Sequence, residues 1–295
     1  MAGLLMLSVI AIAYLLLPNI NQLRESNFSI DTLNLFLVGF LMLCLLYLKA
    51  TVHAVILEKY DLKSTSRMHI ITSYANGQVV RYIPGKILGI VSQSLKLGEV
   101  AKASYVWEAN FSQYIITNLV SALLILSFAG YTYFESIFFP VFFVVTSLLS
   151  TFVLTSKATT KFFDFVSSTL SITSISTGHH CLSMKQAMSV MILLYIEWFF
   201  YFSAWYFLVD GSLGVSLYIG TLYAASSLLA LLAFVVPNGL LVREAIFLWL
   251  GTLANIAAEE LIFYGIVIRV FYIVCDLLFY FICEMVWKLA AWSKK

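Results

Sequence analysis

Charge is what this chain has least of. Asp, Glu, Lys and Arg make up 11% of its residues and apolar side chains 62%, where soluble domains average roughly 25% and 45–50%. No stretch is polar and long enough for a soluble catalytic unit of ordinary size, on the order of 100 residues. The net charge of +2 is spread along the connections. No basic run interleaved with aromatics is present, so nucleic acid is not an expected partner. The four cysteines, Cys44, Cys181, Cys275 and Cys283, form no CxxC pair. Three of them lie in apolar segments, where a thiol packs as a small hydrophobe. His179-His180 has no third ligand nearby and no DxD-like pair occurs, so no metal site is expected. A GxxxxGK(S/T) motif is absent, which removes a P-loop, and no cofactor is expected.

What the chain has in quantity is apolar runs. Crossing a hydrocarbon core takes about 20 apolar residues in a helix. Full spans are expected at Ala2–Leu17, Leu33–Leu57, Ala103–Gly130, Ile137–Leu154, Ala187–Val209 and Leu261–Cys283. Met1–Leu17 has no charged leader and no evident small-residue cleavage site, so it reads as a first transmembrane helix rather than a signal peptide. Lys49 and His53 fall inside the second span, where either they snorkel to the interface or the apolar part stops near Leu48. Basic residues gather in three places: Lys59, Lys63 and Arg67; Lys157, Lys161 and Lys185; and Lys288, Lys294 and Lys295. The intervening connections carry only Arg24. Under the positive-inside rule the basic regions are cytoplasmic. The expectation is an integral cell-membrane protein, one membrane domain across residues 1–295, with both termini cytoplasmic.

Two regions break this pattern. Tyr82-Ile83-Pro84-Gly85-Lys86 and Val236-Pro237-Asn238-Gly239, the latter followed by Arg243-Glu244, put proline, glycine and a cation inside apolar sequence. Proline removes a backbone donor and glycine permits turns other residues resist. In a bilayer the freed backbone groups must be satisfied by protein or in a water-filled cavity. Segments 69–97 and 215–258 are therefore expected to be helix–break–helix elements, the first entering from the cytoplasm and the second from outside, as in an inverted repeat. The fold class is then all-α and polytopic, with about six full transmembrane helices plus two re-entrant elements. The alternative is eight crossings, with Val215–Val236 and Leu240–Ala258 both spanning.

A half-helix that starts inside the membrane presents unpaired amides and the positive end of its dipole, a combination that binds anions. The expected substrate-binding residues are Arg81, Pro84, Gly85, Lys86, Pro237, Gly239, Arg243 and Glu244, with Arg81, Lys86 and Arg243 converging on one anionic group. A cation at mid-bilayer costs roughly 2.5–3.5 kcal/mol, so a ligand or buried acids must offset it. Glu108, Glu197, Arg269 and Asp276 are the candidates for ion pairs or proton coupling. Gly85 and Gly89 form a GxxxG match that lets helices approach closely. Tyr195, Trp198, Phe199, Phe200, Tyr201, Trp205 and Tyr206 crowd one span, where interfacial anchoring and lipid packing account for most of them.

Taken together, Arg81-Tyr82-Ile83-Pro84-Gly85-Lys86-Ile87-Leu88-Gly89 resembles the first signature of the lysylphosphatidylglycerol synthase transmembrane-region family, also called flippase-like membrane proteins. Gly98-Glu99-Val100 through Glu108 resembles the stretch that follows it. Pro237-Asn238-Gly239-Leu240-Leu241-Val242-Arg243-Glu244 resembles the second signature, with Asn238 and Leu241 standing where the family often has glycine. The resemblance covers about Leu33 to Cys283 and implies a stand-alone membrane unit without the soluble aminoacyl-transferase domain of the multiple peptide resistance factors. The function it implies is translocation, between leaflets, of an anionic phospholipid, glycolipid or polyprenyl-phosphate-linked lipid, rather than enzyme chemistry. Two alternatives stay open: an integral-membrane transferase acting on a lipid-linked donor, and a non-catalytic subunit of a lipid or polysaccharide biosynthetic complex. The expected partners are membrane lipids and, with them, lipid or cell-envelope polysaccharide biosynthesis enzymes.

Overall fold

The structure, a computed structural model, describes residues 31–60, 62, 65–82, 88–134, 141, 144, 145, 147, 148, 182–209, 212–230 and 242–292. Among them there are eight α-helices and no strand: α1 (Thr32–Leu57), α2 (Arg67–Val80), α3 (Leu88–Lys96), α4 (Ala103–Phe134), α5 (Met184–Val209), α6 (Leu213–Leu229), α7 (Val242–Leu253) and α8 (Ala258–Trp292). A 3-10 turn, Glu58–Tyr60, closes α1. Four helices, α1, α4, α5 and α8, are long and apolar enough to cross a membrane. They fall where Leu33–Leu57, Ala103–Gly130, Ala187–Val209 and Leu261–Cys283 are expected to span. The expected span Ala2–Leu17 lies outside the described residues, and Ile137–Leu154 almost wholly so.

Local sequence sets several of the boundaries. Asp31 accepts from the Leu33 amide at the start of α1 (3.4 Å). Ser183 and Gln186 satisfy each other's backbone amides at the start of α5 (3.0 and 3.3 Å), a reciprocal cap. Ser212 caps α6 through the Val215 amide. α7 ends at Leu253, short of the end of the expected 215–258 element. Asn255 takes a left-handed conformation (φ 59°), and the amides of Asn255 and Ile256 close back on Thr252 and Gly251 (3.1 and 3.0 Å). That closure terminates a helix and turns the chain.

The helix lengths repeat. α1 and α5 both have 26 residues; Pro84 stands 52 positions after Thr32, and Pro237 stands 53 after Met184. Each proline lies between two short helices, of 14 and 9 residues the first time and 17 and 12 the second. At 1.5 Å per residue the longest of these reaches only about 25 Å, short of the roughly 30 Å hydrocarbon core. A long helix follows each pair, of 32 residues in α4 and 35 in α8.

The described helices divide into two compact units. One holds the described residues of Met1–Leu45, Arg81–Leu88 and Trp198–Phe279, the other those of Leu46–Val80, Gly89–Glu197 and Tyr280–Lys295.

In the second unit α2 and α3 fold back on each other. A Cβ placed on Gly77 would lie 2.9 Å from the carbonyl oxygen of Gly89, and Asn76 donates to the Ser92 hydroxyl (2.7 Å). At the opposite ends His69 stacks on Trp287, while Lys96 pairs with Glu284, three residues before that tryptophan. The pair is therefore an antiparallel hairpin.

His53, from α1, ties the same unit together. It is fully buried, so His53 does not snorkel, and α1 continues past it to Leu57. Gln113 donates to the Lys49 carbonyl (2.8 Å), which turns its own oxygen toward His53 Nδ1 (2.9 Å). Asn110 donates to the Val106 carbonyl and to Gln93 Oε1 (both 2.8 Å), leaving the Gln93 amide nitrogen on His53 Nε2 (2.6 Å). Carbonyls only accept, so both ends of the chain of bonds have a fixed direction. His53 is thereby neutral, with its proton on Nδ1.

The first unit packs through aromatic rings. Trp205 of α5, Tyr223 of α6 and Phe247 of α7 are all fully buried and meet pairwise at 5.2–6.3 Å between ring centroids. Tyr201 donates to the Gly220 carbonyl (2.8 Å) and Tyr264 to the Val209 carbonyl (3.2 Å), joining α5 to α6 and to α8. A Cβ on Gly220 would sit 3.0 Å from the Trp205 ring, so glycine is what permits this approach. Of the crowded aromatics, Phe199 and Tyr206 are exposed as expected for lipid-facing rings, whereas Trp198, Tyr201 and Trp205 are buried. Packing of this kind, rather than exclusion of water, holds helices together in lipid.

Candidate anion-binding site

The expected site residues fall into three groups. Pro84, Gly85, Lys86, Pro237 and Gly239 lie outside the described residues, as does the meeting of Lys86 with the arginines. Glu108 and Glu197 belong to the second unit. Arg81, Arg243, Glu244, Arg269 and Asp276 belong to the first.

In the second unit both acids are ion-paired. Glu108 accepts from Lys59 Nζ at 2.9 Å, and both side chains are nearly sealed. Lys59, counted among the basic residues of this connection, has its charge held by an acid 49 positions away. Glu197 lies 3.6 Å from Lys49. Glu108 Oε2 and Glu197 Oε2 are buried without a hydrogen bond among the described residues.

The first unit carries the denser charge. Arg269, Tyr272 and Asp276 recur at three- and four-residue intervals on α8 and so share a face. Asp276 is fully buried and receives Arg81 Nη2 at 2.7 Å and the Tyr82 hydroxyl on the same oxygen. Burial pushes the Tyr82 phenol up to about 12, so Tyr82 keeps its proton and donates. Seven residues earlier on α8, Arg269 Nη1 lies 3.6 Å from Glu244 Oε1. The same oxygen meets Arg243 Nη2 at 3.1 Å and Nε at 3.3 Å. The Arg243 guanidinium lies 4.7 Å from the centre of the Tyr223 ring and 5.8 Å from that of Tyr272. Such stacking fixes a guanidinium in orientation as well as stabilising it.

Arg81 and Arg243 are each paired with an acid, Asp276 and Glu244. Arg269 shares Glu244 with Arg243 and is within electrostatic reach of Tyr82, the neighbour of Arg81. The sequence reading placed Arg269 among the ion-pair residues and not in the anion site. Its 26-residue separation from Arg243 hides the contact, and only the α7–α8 packing reveals it.

Two arginines against one carboxylate leave one net positive charge. Arg269 Nη2 and the Tyr223 hydroxyl are buried and make no hydrogen bond among the described residues. Arg243 and Arg269 side chains each keep 14% exposure and Glu244 23%. The arrangement is suited to an oxyanion. A phosphate accepts several hydrogen bonds at once, and guanidinium groups match its geometry. No protein-family model, curated protein or solved structure matches the chain. The reading of function therefore rests on the site's own chemistry.

Proposed function

We propose that the protein is an integral cell-membrane translocase. It moves an anionic phospholipid, glycolipid or polyprenyl-phosphate-linked lipid between leaflets. The observation that carries this reading is the Arg243–Glu244–Arg269 group, in which the short helix α7 and the long helix α8 bring two arginines to one carboxylate and leave one excess positive charge and two donors without a hydrogen bond among the described residues. The phosphate binds Arg243 and Arg269, with Tyr223 donating, while the acyl or prenyl tails stay in lipid. Arg81, anchored by Asp276, and Lys86 add positive potential at the first break. Pro84, Gly85, Pro237 and Gly239, which lie outside the described residues, are the further binding positions this reading includes. Glu108 and Glu197 hold lysines of the second unit and are the positions for proton coupling.

The repeated order of long and short helices supports two re-entrant elements; one crossing between α4 and α5 makes them enter from opposite sides, and the basic connections put both termini in the cytoplasm. Enzymes of lipid or cell-envelope polysaccharide synthesis supply the cargo, and no covalent bond changes during transport.

The test is reconstitution in liposomes with labelled phosphatidylglycerol, following exposure of the label at the outer leaflet. Wild type is expected to exceed the protein-free rate. Arg243→Ala and Arg269→Ala are each expected to lower the gain about tenfold, the effect of losing roughly 1.4 kcal/mol of binding. If wild type moves every anionic lipid tested at the protein-free rate, the translocase reading fails. A covalently altered lipid in the same vesicles would favour the transferase instead.

A further inference from the structure

Asp276 uses only half of its capacity to accept. Its Oδ2 receives both Arg81 Nη2, at 2.7 Å, and the Tyr82 hydroxyl. Its Oδ1 is buried and makes no hydrogen bond among the described residues. The Asp276 side chain has no exposure, while the Arg81 side chain bonded to it keeps 34%, so the cover over this carboxylate is thin. A buried carboxylate oxygen without a donor is costly. Arg269 Nη2 and the Tyr223 hydroxyl are in the same condition in this unit, but their needs differ. A guanidinium nitrogen only donates and a carboxylate oxygen only accepts. A bare phosphate offers acceptors, so it satisfies Arg269 and Tyr223 and leaves Asp276 Oδ1 as it is.

These groups follow one line. Arg269, Tyr272 and Asp276 share a face of α8, and the first and last are seven residues apart, about 10 Å along the helix axis. Tyr272, between them, lies with its ring centre 5.8 Å from the Arg243 guanidinium. Arg269 is within electrostatic reach of Tyr82, which itself donates to Asp276. A phosphodiester whose outer group carries a hydroxyl on a short carbon chain covers a distance of that order, with a hydrogen bond of roughly 3 Å at each end.

We propose that Asp276 forms a second subsite, which accepts a hydroxyl from the group that the phosphate carries. The inference rests on the anion-site reading and narrows its cargo to a polyol phosphate, a phosphate bearing glycerol or a sugar. The phosphate lies on Arg243, Arg269 and the Tyr223 hydroxyl, the polyol passes over Tyr272, and one of its hydroxyls donates to Oδ1. An ammonium is a poorer match than a hydroxyl, because Arg81 already brings a cation to the same carboxylate. Sites built to bond a hydroxyl reject analogues that lack it, since their buried partner is then left without a bond.

The experiment uses the purified full chain in a non-ionic detergent, titrated calorimetrically with dihexanoyl phosphatidylglycerol and dihexanoyl phosphatidylpropanol. The two share charge, tails and a three-carbon outer group and differ in the hydroxyls. Wild type is expected to bind phosphatidylglycerol about tenfold more tightly, the effect of one hydrogen bond to a charged acceptor. In Asp276→Asn, Arg81 and Tyr82 both donate and so hold the amide oxygen, which puts the amide nitrogen where Oδ1 was. The preference is expected to fall to about twofold or less; the lost charge acts on both lipids alike and cancels in the ratio. Arg269→Ala is expected to weaken both lipids and keep their ratio. Equal binding of the two lipids by wild type overturns the subsite and leaves the phosphate reading standing, and this comparison needs no variant to fold. A preference that survives in Asp276→Asn also overturns it, with unfolding midpoints confirming that folded protein is compared. Dihexanoyl phosphatidylethanolamine binding as tightly as phosphatidylglycerol would overturn the polyol assignment. If no lipid binds, both readings fall. Glycerol phosphate preferred over propyl phosphate, with the preference lost in Asp276→Asn and neither lipid bound by wild type, would uphold the subsite and assign its ligand to the aqueous side.

Discussion

His53 shows how far a single buried side chain can be read. Its two ring nitrogens meet Gln93 and Gln113, and both amides are oriented by main-chain carbonyls further out. Replacing Gln113 with leucine removes the acceptor for Nδ1–H and the donor to the Lys49 carbonyl while keeping the volume similar. A buried polar group left without its partner costs about 1–3 kcal/mol. Gln113→Leu is therefore expected to lower the unfolding midpoint of the detergent-solubilised protein. The double variant with His53→Leu is expected to recover part of that loss, because the stranded nitrogen goes with it. A midpoint unchanged in Gln113→Leu would mean that the bonds contribute nothing net. None of this was legible in the residues around His53, which read as a polar blemish in a span. Its partners stand 40 and 60 positions away. Lys59 has the same history: it keeps its place in the connection after α1, but its pairing with Glu108 of α4, 49 positions on, is not visible locally.

At the scale of helices, local chemistry was the better guide. Prolines and glycines near positions 84 and 237 mark the two places where short helices replace long ones, and apolar length alone locates α1, α4, α5 and α8. The end of α7 was missed because asparagine in the left-handed region terminates a helix as glycine does, without glycine's signature. The hairpin of α2 and α3 offers a sharper test. A methyl group at Gly77 would come within 2.9 Å of a main-chain oxygen, that of Gly89. Backbone cannot rotate out of the way as a side chain can, so the two helices must separate. Gly77→Val is expected to destabilise the protein by about 1–3 kcal/mol, the usual cost of overpacking, and to expose the Asn76–Ser92 contact to hydrogen exchange. Gly98→Ala, at an exposed turn with its nearest contact at 3.4 Å, is the control and is expected to change the midpoint little. Equal stability of Gly77→Val and wild type would show that the hairpin is looser than its contacts imply.

At the scale of the whole chain, the order long, short, short, long occurs twice, and the two proline positions agree to within one residue when counted from the starts of α1 and α5. A duplication of this kind leaves the orientation of the copies open. If an odd number of crossings lies between α4 and α5, as the expected span Ile137–Leu154 supplies, the second copy is inverted and its short helices enter from the opposite side. The consequence is measurable without knowing the substrate. Gly98, exposed after α3, and Leu213, exposed at the start of α6, should then face opposite compartments. With Cys44, Cys181, Cys275 and Cys283 replaced by serine, a single cysteine at Leu213 is expected to react with an impermeant thiol reagent in intact cells. A single cysteine at Gly98 is expected to react only after the membrane is opened. Labelling of both from the same side would mean that the copies are parallel, and the α2–α3 and α6–α7 pairs would then enter from one leaflet. In that geometry the site could capture a headgroup from that leaflet but could not hand it to the other by exchanging one half for its inverted counterpart. The experiment therefore bears on the transport mechanism as directly as on topology.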